Sequence, residues 1–149
     1  MQELFLEISK NKILIVTLLG WIIAQTIKVI IGVVREKRFN FLWFIGTGGM
    51  PSSHASGASA LATSIGMTHG FDSVYFALAA MFALVTMFDA QGVRRATGKQ
   101  ARILNMMMTD MHFKKKIQEE RLRELIGHTP IEVFAGAILG ALIAIVFFA

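Results

Sequence analysis

Long apolar runs separated by short polar clusters set the pattern of this chain. A hydrocarbon layer about 30 Å thick takes roughly 20 residues of helix to cross. Residues 13–34 form such a run, with Lys28 as the one ionisable interruption. Residues 55–68 form a shorter run of Ala, Ser, Gly and Thr, types that let helix backbones approach closely in lipid, and this helix is expected to be the most buried. His69, Gly70 and Asp72 mark a polar turn, after which residues 71–88 run apolar again, so the two segments read as a helical hairpin. The last run covers residues 131–148.

Between the third and fourth runs lies a polar segment, residues 89–130, through which Met106, Met107, Met108, Met111, Phe113, Ile117, Leu122 and Leu125 are scattered. That pattern predicts helices lying at the interface. Leu4, Phe5, Leu6 and Ile8 predict another short interfacial helix at the start. The expected fold is all-α: a polytopic helical membrane bundle of about four transmembrane helices plus interfacial helices, in a single membrane domain over residues 1–149.

Composition agrees: 54% of the 149 residues are hydrophobic and the mean hydropathy is +0.58, too apolar for one soluble core of this size. No cysteine is present, which excludes disulfides and thiolate chemistry. The net charge of +5 raises nucleic acid as a partner, but the basic residues cluster beside apolar runs, so the expected partners are the bilayer and an anionic lipid or phosphate, not nucleic acid. Four spans put residues 35–54 and 89–130 on one membrane face and both termini on the other. Arg35, Lys37, Arg38, Arg94, Arg95, Lys99, Arg102, Lys114, Lys115, Lys116, Arg121 and Arg123 then mark the first face as cytoplasmic in a cell membrane. Glu3 and Glu7 precede any basic residue, so a removable signal peptide is not expected.

Three groups of residues carry candidate chemistry. Pro51-Ser52-Ser53-His54 sits where a Gly-rich loop enters the second run. Ser52 or Ser53 as N-cap would leave first-turn N–H groups for an anion, although an ordinary capped helix start explains the same residues. Lys28 within a span costs about 2.5 to 3.5 kcal/mol near the helix centre on insertion scales and needs compensation. Arg35 follows seven residues on and nearly on the same face, so both cations can address one pocket, with snorkelling to headgroups as the alternative. His128 and Glu132 stand four apart on one face of the last helix, with Gly136 and Gly140 extending that stripe. The carboxylate can orient the imidazole for attack, or the pair can be structural. Zinc on His54, His128 and Glu132 is a third option, but it leaves Lys28 and Arg35 unexplained. Asp89, Arg94 and Arg95 open the polar segment at the membrane border, where either arginine can reach a phosphate and Asp89 is a candidate accessory group. His69 and His112 are read as non-catalytic.

These residues together resemble the type-2 phosphatidic acid phosphatases, which are related to vanadium-dependent haloperoxidases, and specifically their short divergent bacterial and plant branch. The first family signature, a Lys followed after six residues by Arg-Pro, is met by Lys28 and Arg35, with Glu36 in place of Pro. Pro-Ser-Gly-His is met by residues 51–54 with Ser53 for Gly. In the third, His128 matches, Glu132 replaces Asp, and Leu122 occupies the arginine position, flanked by Arg121 and Arg123. The run Asp89-Ala90-Gln91-Gly92-Val93-Arg94-Arg95 resembles the divergent branch itself.

The resemblance implies a phosphoryl transfer in which His128 is the phosphorylated nucleophile and His54 the general acid. Lys28, Arg35 and Ser53 would cradle the phosphate, and no metal or cofactor would be required. The expected function is a membrane lipid-phosphate phosphatase acting on a phosphatidate, phosphatidylglycerophosphate or polyprenyl diphosphate. The alternative is a non-catalytic lipid-phosphate binding or transport protein with the same pocket. Ordinary members have more core helices than this chain displays, so a homodimer is one way to enclose the site.

Overall fold

The computed structural model of the protein describes residues 1–39, 49–91, 100–104 and 128–149, and these are helical with short connections. α1 (Gln2–Lys10) is exposed along its whole length and, among the described helices, packs on α2 alone. Asn11 separates the two helices: its extended backbone ends α1, and its side chain accepts from Leu14 N at 3.0 Å to cap α2. α2 (Lys12–Glu36) has 25 residues, at about 1.5 Å each more than a hydrocarbon layer, and it ends on Lys37, which takes a left-handed conformation at φ 51°.

α3 (Ser53–His69) starts on the Ser52 cap and stops at Gly70, whose φ of 89° favours a residue without Cβ. Ser73 then begins α4 (Val74–Gln91) by accepting from Phe76 N at 3.2 Å while donating to Gly70 O at 2.7 Å. α5 (Pro130–Phe148) closes the bundle with its first turn pre-shaped by proline. Among the described residues, α2, α4 and α5 are long and apolar enough to cross a membrane, whereas α3 is 17 residues of small and hydroxylated types. The expectation of about four spans therefore resolves into three lipid-compatible helices around a central α3. Residues 100–104 are helical within the expected interfacial segment, most of which lies outside the described residues.

α3 is the hub because its surface is made of Ala, Ser and Gly. Gly20 of α2 packs on Ser56 and Ala60, and Thr17 and Trp21 lie over Gly57, while Lys28 lies under Gly49, so α2 runs antiparallel to α3. Ser56 Oγ donates to Gly20 O at 2.8 Å across this contact. Ala79 and Ala83 of α4 join Ala58 and Ala62, and Ala90 joins Ala55, also antiparallel. α5 behaves differently. Gly136 lies against the Ser52 carbonyl, Gly140 against the Ser56 carbonyl and Ala144 beside Ala60, so α5 runs parallel to α3 with backbones nearly touching. One end of the bundle therefore collects the C-terminal ends of α2 and α4 and the N-terminal ends of α3 and α5.

Candidate active site

That shared end holds most of the candidate residues. Ser52 is fully buried and serves as N-cap, its Oγ accepting from Ala55 N at 3.3 Å. Its own N–H donates to Glu132 O at 2.9 Å, which fastens the Pro51–His54 segment to the first turn of α5. Ser53 follows at 2% exposure in the first turn of α3, and His54 is half-buried beside it.

His128 is buried immediately before α5, and its N–H donates to Ala90 O at the end of α4, 3.0 Å away. Its Nδ1 lies 3.1 Å from Glu132 Oε2. An Nδ1–H donated to the carboxylate selects the tautomer whose Nε2 carries the lone pair. The same Oε2 accepts from Thr129 N at 3.0 Å, and Thr129 Oγ1 accepts from Glu132 N at 3.4 Å, a complete capping box. Glu132 is thus held by the helix start before it holds the histidine. The rings of His54 and His128 meet edge to face, with centroids 6.4 Å apart.

Lys28 reaches this end from α2. It is 9% exposed, lies under Gly49 with φ 83°, is within electrostatic range of Glu132, and donates from Nζ to Gln25 Oε1 at 3.0 Å. Arg35 does not join it: seven residues are about 10 Å of helix, and Arg35 is exposed in the last turn of α2. Asp89 is half-buried one residue before Ala90. Arg94, Arg95, Arg121 and Arg123 lie outside the described residues. His54, His128 and Glu132 do not make a group able to hold a metal ion, and none exists among the described residues.

Sequence reading passed over two contributors. Gln25 is a polar residue inside a span, one turn before Lys28 and on its face, which is the signal that marks it. Thr129-Pro130-Ile131-Glu132 spells a capping box ahead of an apolar run, and it explains why a glutamate stands at this position.

An imidazole oriented by a carboxylate, a second imidazole facing it, a cation and two helix N-termini form a site suited to a phosphate ester in a membrane protein. The chain belongs to the Divergent PAP2 family, which it matches over residues 9–143. It is also 41% identical, over 152 aligned positions covering 95% of this chain and 96% of the relative, to the uncharacterized membrane protein YuiD of Bacillus subtilis (strain 168). No solved structure matches it.

Proposed function

We propose that the protein is a membrane lipid-phosphate phosphatase that works through a phosphohistidine. The observation that carries this reading is His128 held at Nδ1 by Glu132 with its ring 6.4 Å from that of His54, at the N-terminal ends of α3 and α5. The Nε2 lone pair of His128 attacks phosphorus, the N–P bond forms, and the bond to the lipid oxygen breaks as His54 in its protonated form donates its proton to that oxygen. Glu132 stabilises the imidazolium character that phosphorylation places on His128. In the second half, His54, now neutral, takes a proton from water, the water oxygen attacks phosphorus, and the N–P bond breaks to release inorganic phosphate.

Lys28 and the first-turn N–H groups of α3 receive the charge on the non-bridging oxygens, with Ser52 and Ser53 shaping that turn and Arg35 at the mouth. Arg94, Arg95, Arg121 and Arg123 are further phosphate ligands and Asp89 an accessory group. The substrate is a phosphatidate, phosphatidylglycerophosphate or polyprenyl diphosphate. The basic end faces the cytoplasm, with both termini opposite, and a homodimer completes the enclosure.

The test is phosphate release by the purified protein across these lipids, with a vanadate control and the variants His128→Ala and His54→Ala. Release at the parent's rate by both variants on every lipid would sink the mechanism. A second reading, a non-catalytic lipid-phosphate binder or transporter, is favoured by the exposure of Arg35, which leaves it apart from the buried Lys28. It predicts lipid-phosphate binding without phosphate release or vanadate inhibition.

A further inference from the structure

Gln25 is 4% exposed, Lys28 is 9% exposed, and their side chains share a 3.0 Å hydrogen bond from Nζ to Oε1. The direction of that bond matters. A lysine in this part of a span ordinarily extends its stem toward the headgroups, which here means along α2 toward Arg35 and Glu36. Gln25 lies on the other side of Lys28, one turn deeper, and Gly49 covers the stem with no side chain of its own between them. The ammonium is therefore drawn back into the bundle, where Glu132 lies in electrostatic range.

We infer that Gln25 is a positioning residue, whose amide oxygen holds the Lys28 ammonium inside the site so that it meets the phosphate oxygens of a lipid-phosphate substrate. This rests on the proposed function. A neutral amide suits the task because it accepts a hydrogen bond without cancelling the cation's charge, whereas a carboxylate there would compete with the phosphate for Lys28. A purely structural role, satisfying a buried ammonium, would affect stability and leave substrate handling alone.

The experiment is a double-mutant cycle on the purified full-length protein in detergent, with phosphatidate as substrate and orthovanadate as inhibitor. It uses Gln25→Met, which keeps an unbranched side chain, Lys28→Met, the pair together, and Gln25→Glu. Gln25→Met is expected to lower kcat/KM and weaken vanadate inhibition by about tenfold or more, in line with residues that orient a functional group. The same substitution is expected to have no further effect once Lys28 is Met. Gln25→Glu, which keeps the acceptor, is expected to raise KM and weaken vanadate while retaining more of kcat. Independent, multiplying losses in the cycle would overturn the inference. So would a Gln25→Met protein with a lowered melting temperature but parental kcat/KM, or parental vanadate inhibition in Gln25→Glu. A parent that neither releases phosphate nor responds to vanadate overturns the proposed function itself and the inference with it.

Discussion

The Ser52 N–H donates to the Glu132 carbonyl at 2.9 Å, so the residue that caps α3 is bonded through its backbone to the residue that orients His128. Two segments far apart in sequence are thereby locked in one register, and displacement of either helix start moves both histidines.

The leaving group should separate the two histidine roles. An aryl phosphate departs without much protonation, so His54→Ala is expected to lose far less of its first-step rate on such an ester than on a lipid phosphate. Because the second step still needs a base, phosphohistidine should accumulate in that variant. Rapid-quench measurement of protein-bound phosphate checks this, and an equal loss on both esters would remove His54 as the acid.

Glu132 has two duties that different substitutions divide. Glu132→Gln keeps a side chain of the same length but removes the charge that supports an imidazolium, and a rate loss on the order of 10²–10⁴-fold is expected, as for other carboxylates that orient a catalytic histidine. Thr129→Ala leaves the carboxylate but removes the N-cap, with an expected cost of about 1 kcal/mol in stability. Thermal unfolding in detergent beside turnover tells the two apart, and a rate loss in Glu132→Gln matched by unfolding would count against the orienting role.

Gly136→Ala and Gly140→Ala should each destabilise the bundle by about 1–3 kcal/mol or more, because the added Cβ meets the carbonyls of Ser52 and Ser56, which are backbone atoms that cannot rotate away. Ser56→Ala removes the hydrogen bond to Gly20 O and is expected to cost only about 0.6 kcal/mol, the average for such bonds in lipid. Unfolding titrations in mixed micelles give the order, and a Ser56→Ala effect larger than that of Gly140→Ala would mean that α2, rather than α5, anchors the hub.

Lys28→Met is expected to reduce kcat/KM by about tenfold or more beyond the loss in Arg35→Ala, since Lys28 is buried under Gly49 within electrostatic range of Glu132 and Arg35 is exposed. Steady-state kinetics on one lipid phosphate decides this, and equal losses would show that Arg35 swings inward when substrate binds.

The bundle itself was legible because bilayer thickness imposes a length on every apolar run, and α3 stood out because Ala, Ser and Gly have little reason to face lipid. Membership of the divergent phosphatidic acid phosphatase branch was legible from Lys28, residues 51–54 and the 89–95 run. Helical periodicity put Lys28 and Arg35 on one face, but it carries no information on how far along that face a pocket extends, and Arg35 stands exposed. The link between Gln25 and Lys28 needed a side-chain conformation, since a lysine can turn toward either end of its helix. The parallel sense of α3 and α5 follows from threading four spans, but their direct packing through Gly136 and Gly140 depends on contacts across a long stretch of chain, which local pattern does not encode.

Parallel packing also sets like poles side by side. The positive ends of the α3 and α5 dipoles lie together, an arrangement that repels unless negative charge relieves it. α5 carries its own counter-charge, because Glu132 sits in its first turn. α3 has no acidic residue in its first turn. The two poles are consequently unequal: one is already offset by the carboxylate that holds His128, and the other keeps an unspent electrostatic demand for negative charge.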